Sequence, residues 1–84
     1  MKELVNMDEE TRSKIKRIKE KAEFFLENKI KAFIKDNYDT YYFCEILNVD
    51  DLYVTVYDFR KQENFKLVLI DIKDIQEYRG NEVK

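Results

Sequence analysis

The sequence predicts an α+β, mainly β fold: an N-terminal amphipathic helix over residues 8–27, then a four- to five-stranded antiparallel meander that closes into a small barrel. Three observations predict it. Between Asp39 and Ile72 three apolar-aromatic runs of strand length, rich in Tyr, Phe, Val, Ile and Leu, are separated by short polar breaks. Ahead of them, Ile15, Ile18, Ala22 and Phe25 recur at spacings of three, four and three, which is a narrow apolar stripe along a helix. With 84 residues there is room for one domain and one core, so helix and strands must share it.

Residues 1–7 have no regular period and are expected to form a flexible arm. A helix follows. Asn6 with Glu9 three residues later, or Asp8 alone, can cap the first backbone N–H groups, and Asp8, Glu9 and Glu10 place negative charge at the positive end of the helix dipole. Leu26, Ile30, Phe33 and Ile34 would let the helix run past Glu27. However, Ile30, Ala32 and Ile34 also alternate with Lys29, Lys31 and Lys35, which favours a break near Asn28 and a first strand over 29–35. Asp36 to Asp39 then reads as a turn. The second strand is expected over 40–48 and the third over 52–59, joined through Asn48-Val49-Asp50-Asp51 as a hairpin. After a polar loop at 60–64, Phe65 to Ile70 is a nearly continuous apolar run, as expected of a strand buried on both faces. One helical turn over 71–75 and a last short strand over 76–79 complete a barrel spanning residues 29–79, with 80–84 as a tail.

Alternation divides the strands into two sets of side chains. Ile30, Ala32 and Ile34, then Tyr42, Cys44 and Ile46, then Leu52, Val54 and Val56, then Phe65, Leu67 and Leu69 contain no charge and are the candidate core. The opposite side of the first three strands carries Phe33, Tyr41, Phe43, Tyr53, Tyr57 and Phe59, interrupted by Lys31, Lys35, Glu45 and Thr55. A row of aromatic rings is seldom left in water, so it is expected either to lie under the helical stripe or to meet a partner.

Composition narrows the chemistry. The chain has 16 basic and 18 acidic residues, a net charge of −2, 44% hydrophobic residues and twelve aromatics, so it can build a core but carries no global field for a polyanion or an anionic membrane. Cys44 is the one cysteine, which excludes an internal disulfide, points to a small core residue and suggests a reducing, cytoplasmic setting. Charges interrupt the first thirty residues too often for a signal peptide or a membrane helix, so the chain is expected to begin at or near Met1 and to have no membrane partner. There is no histidine, so the commonest general base and metal ligand is missing, and a single glycine cannot make a phosphate-binding loop. Asp8-Glu9-Glu10, Asp50-Asp51 and Asp71 with Asp74 are explained by a helix start, a turn and a loop. The expectation is a non-enzyme with no cofactor and no metal.

A helix, a run of short strands and a single turn before the last strand resemble the small β-barrels of the Sm-like and SH3-like kind, over about residues 8–83. Arg79-Gly80-Asn81 is similar to the Arg-Gly-Asn of the second Sm motif, which in that family sits between the last two strands and helps form a nucleotide pocket. The resemblance implies Arg79, Gly80 and Asn81 as nucleotide-contacting positions. The chain departs from the family in having only Glu82-Val83-Lys84 after the motif, too short for a full closing strand, and in lacking a clear Asp and Asn pairing at Asn48-Val49-Asp50-Asp51.

Two functions follow. The first is a protein-interaction or assembly module, self-associating or an adaptor, that uses the aromatic sheet face and the open sheet edges; its partner is protein, a second copy included. The alternative is a small RNA- or single-stranded-DNA-binding protein of Sm-like type. There Arg12, Lys14, Lys16, Arg17, Lys19 and Lys21, six basic residues against one Glu between Arg12 and Lys21, contact phosphates while Tyr and Phe rings stack on bases.

Overall fold

The computed structural model describes residues 9–78. The expected arm at 1–7, the capping residues Asn6 and Asp8, the tail at 80–84 and the Arg79-Gly80-Asn81 motif lie outside the described residues. One helix, α1 (Glu9–Glu27), precedes five strands: β1 (Lys31–Asp36), β2 (Tyr41–Val49), β3 (Tyr53–Asp58), β4 (Glu63–Val68) and β5 (Ile72–Glu77). A single 3-10 turn, Leu69–Asp71, separates β4 from β5. The strands form one antiparallel sheet in the order β4-β3-β2-β1-β5.

The helix ends where the alternation of Ile30, Ala32 and Ile34 begins. The Lys29 N–H donates to the Leu26 carbonyl and the Ile30 N–H to the Phe25 carbonyl, with Lys29 left-handed at φ 53. This is the paired-bond helix stop in which glycine is the usual residue. The Asn28 side chain closes it by donating to the Phe24 carbonyl.

Two turns are built on buried aspartates. Asp36, only 5% exposed, accepts at Oδ1 from the N–H groups of Tyr38 and Thr40 and at Oδ2 from the Tyr42 hydroxyl. Burial alone would raise its pKa, but these three donors outweigh burial and hold the carboxyl below its ordinary value. Asp58 accepts from the N–H groups of Arg60 and Lys61, which sets the β3–β4 loop.

The core joins Ile18, Ala22 and Phe25 of α1 to Ala32, Ile34, Cys44, Ile46, Val54, Val56, Leu67, Leu69, Ile72 and Ile75. The helical stripe therefore lies on the aliphatic face of the sheet. The expectation that it covers the aromatic face is corrected. Small residues suit the choice: Ala22 of α1 and Ala32 and Cys44 of the sheet are fully buried in this shared core, and small side chains let packed backbones approach closely.

Four further expectations are corrected. The sheet does not close into a barrel by hydrogen bonding: β4 and β5 are its two edges. Instead α1 packs on β2, β5 and the 3-10 turn and seals the core from that side. The fourth strand is buried on one face only: Lys66 and Val68 are exposed and Leu67 is buried, while in the 3-10 turn that follows Leu69 is buried and Ile70 exposed. Leu52 is 43% exposed because it belongs to the β2–β3 turn, where its carbonyl accepts the Leu69 N–H. The helical turn occupies 69–71 and the last strand begins at Ile72. Ile72 and Ile75 are three residues apart, a helical spacing, yet both face the core because the β1–β5 register shifts between Lys35 and Asp36.

Candidate interaction surface

The face of the sheet turned away from α1 is the candidate site. Strand pairing decides which side chains stand there, because residues directly opposite in an antiparallel pair share a face. Lys31 lies opposite Glu45, Phe33 opposite Phe43 and Lys35 opposite Tyr41. Glu45 in turn lies opposite Tyr57, and the Phe59 N–H donates to the Phe43 carbonyl. On the other side of β1, Phe33 lies opposite Gln76 and Lys35 opposite Asp74.

The rings meet as one row. Phe33 stacks on Tyr41 at 5.1 Å between centroids and approaches Tyr78 at 6.5 Å. Phe43 lies 3.7 Å from Tyr78 and 4.9 Å from Phe59, and Phe59 meets Tyr57 edge-on at 5.4 Å. Five of the six aromatic residues expected here are thus brought together. Tyr53 shares the face but stands apart, opposite Val68, with the Lys66 ammonium 5.2 Å from its ring centre. Tyr78 was missed, although it lies two residues beyond Gln76 and so has the same parity; extending the alternation through the last strand is the signal that finds it.

The rings are half-buried against one another rather than covered. Tyr41 is 43% exposed and Tyr53 39%, and Phe33, Phe43, Tyr57, Phe59 and Tyr78 are intermediate. Ammonium groups lie among them, with Lys31 Nζ 5.6 Å from the centre of Phe59 and Lys35 Nζ 5.3 Å from that of Tyr41. The Tyr41 hydroxyl and then Asp39 raise the Lys35 pKa. At the Tyr41 end of the row, Phe33, Lys35, Tyr41, Lys73, Asp74 and Gln76 line a hollow of about 320 Å³.

The basic residues of α1 are elsewhere. They project from a helix that packs on the aliphatic face, and of them Lys21 reaches round the β5 edge to Asp74 beside the hollow. Lys19 pairs with Asp51 at 2.7 Å and Lys21 with Asp74 at 3.5 Å, while Lys14 reaches the Asn37 side chain at 3.5 Å. The bond to Asp51 raises the Lys19 pKa, and Lys19 lowers that of Asp51. Lys14, Lys19 and Lys21 therefore contact the sheet's loops and edge. Arg12, Lys16 and Arg17 are exposed on the outer side.

Cys44 is fully buried, and burial followed by the nearby Asp58 pushes its thiol up to about 12, so it is not a nucleophile at neutral pH. Among the described residues no cluster of three Cys, Asp or Glu side chains could hold a metal ion, and no helix is long and apolar enough to cross a membrane. No protein-family model, curated protein or solved structure matches the chain.

Proposed function

We propose that this chain is a non-enzymatic protein-binding module that works through the open aromatic face of its sheet, as an assembly unit or an adaptor. The observation that carries this reading is the row of six rings left uncovered by the chain's own helix. Contiguous aromatic surface of this kind loses free energy in water and gains it on burial against a partner. The unpaired edges β4 and β5 offer further backbone donors and acceptors. A sequence without histidine and a thiol held neutral support the absence of catalysis. We read the helix and its open five-stranded sheet as similar in element order to the Sm-like and SH3-like folds, with β5 paired to β1, and we assign the protein to the cytoplasm on its single buried cysteine.

A second reading, binding of single-stranded RNA or DNA, is favoured by the lysines among the rings. It is the weaker one. The basic helix and the rings lie mainly on opposite sides of the sheet, so a strand would have to cross the β5 edge to use both, and the net charge of −2 opposes a polyanion.

Replacing Tyr41 by a photo-crosslinking phenylalanine derivative, with the same group at Lys16 on the helix as control, tests the choice in a cell lysate. Polypeptide adducts from position 41 are expected. Adducts from position 16 alone, or adducts to nucleic acid alone, would remove the protein-binding reading.

A further inference from the structure

The open face is complementary to itself, and this names its occupant. Lys31 and Glu45 are opposite each other in register, yet they form no ion pair; the Lys31 ammonium leans over Phe59 instead. Lys35, by contrast, already pairs with Asp39 at 3.7 Å and has Tyr41 opposite it on β2. Lys31 and Glu45 thus place one unpaired charge of each sign at matched positions on β1 and β2, which suits a surface that presents the same two charges exchanged.

We propose that this face packs against the same face of a second copy, about a two-fold axis that lies in the interface, parallel to the strands and between β1 and β2. The inference rests on the protein-binding reading above and commits it to self-association. Such an axis exchanges β1 and β2, so every residue of one strand comes to lie over its own register partner in the other copy. Lys31 meets Glu45, Phe33 meets Phe43, and Lys35 meets Tyr41, each contact occurring twice. One strand further out, β3 faces β5, and Tyr57 meets Tyr78, since Tyr57 shares a row with Glu45 and the Tyr78 N–H donates to the Lys31 carbonyl. The result is two aligned sheets with an aromatic layer between them, flanked by opposite charges.

Charge reversal tests it. Lys31→Glu leaves two acids at this point of the face, and Glu45→Lys leaves two lysines. Each contact that becomes like-charged weakens association by about tenfold, and each occurs twice, so either variant alone should dimerise roughly a hundredfold less well than wild type. Mixed in equal amounts, the two variants should restore a dimer, because two acids then face two lysines. Sedimentation equilibrium reads the masses, and circular dichroism with thermal unfolding confirms that each variant is folded. A wild-type protein that stays monomeric at millimolar concentration overturns the proposal, as does a dimer indifferent to either reversal or a mixture that does not recover. If the wild type is monomeric and position 41 still crosslinks to another polypeptide, the self-association fails and the protein-binding reading stands. If there is neither a dimer nor an adduct, both fail.

Discussion

On one side of the sheet Ile34, Val54, Val56, Ile72 and Ile75 have no solvent contact and share a core with α1; on the other, the rings from Tyr41 to Tyr57 lean on one another with no other element of the described residues above them. The same five strands carry both surfaces, and the difference is in side-chain shape. The aliphatic face includes Ala32 and Cys44, small residues that let a helix backbone settle closely. The aromatic face would hold a helix at a distance, and Lys31, Lys35 and Glu45 would be buried beneath it without water. One face can be satisfied by the chain's own helix, whereas the other suits a flat sheet surface that brings its own rings and charges.

Truncation should separate the faces most sharply. Ile34→Ala removes fully buried atoms between helix and sheet and should cost about 2–5 kcal/mol, a large part of the stability of a domain this small. Tyr41→Ala, which loses one stacked ring and one cation contact at a half-exposed site, should cost about 1 kcal/mol. Urea unfolding of both variants measures the ratio, and equal losses would mean that the two faces are packed alike.

The polar anchor of the buried side comes next. Asp36→Ala leaves the Tyr38 and Thr40 N–H groups and the Tyr42 hydroxyl without their acceptor and should cost about 2–3 kcal/mol. It should also change the response to acid. The folded pKa of Asp36 is depressed, so its ionised form contributes stability above the unfolded pKa, about 3.9, and that contribution disappears as the pH falls through the lower folded value. Below about pH 4 the variant should therefore lose stability less steeply than wild type; parallel curves of stability against pH would show that Asp36 titrates normally.

The smallest effect lies at the join between the helix and the sheet. Lys29 is exposed and left-handed where glycine has no steric penalty, so Lys29→Gly should stabilise the fold by about 0.5 kcal/mol, visible as a small rise in midpoint temperature. A loss would mean that the lysine side chain contributes more than its backbone costs.

Periods of two and of three to four residues are local properties of a chain, legible without any tertiary contact. The stripe Ile15, Ile18, Ala22, Phe25 reads as a helix face, and Ile30, Ala32, Ile34 as a strand that ends the helix near Asn28. The parity of Phe33, Tyr41, Phe43, Tyr57 and Phe59 assembles the aromatic row. What periodicity could not carry is relative placement. The shift between Lys35 and Asp36 gives Ile72 and Ile75 a common face despite their helical spacing, Leu52 leaves the core because it turns rather than extends, and Tyr78 joins the row only because β5 pairs with β1. The largest such decision is which face the helix covers. Its apolar stripe is compatible with either surface, and only the shared core that Ile18, Ala22 and Phe25 form with the aliphatic side chains of the sheet, a matter of volumes meeting across the fold, leaves the aromatic side open.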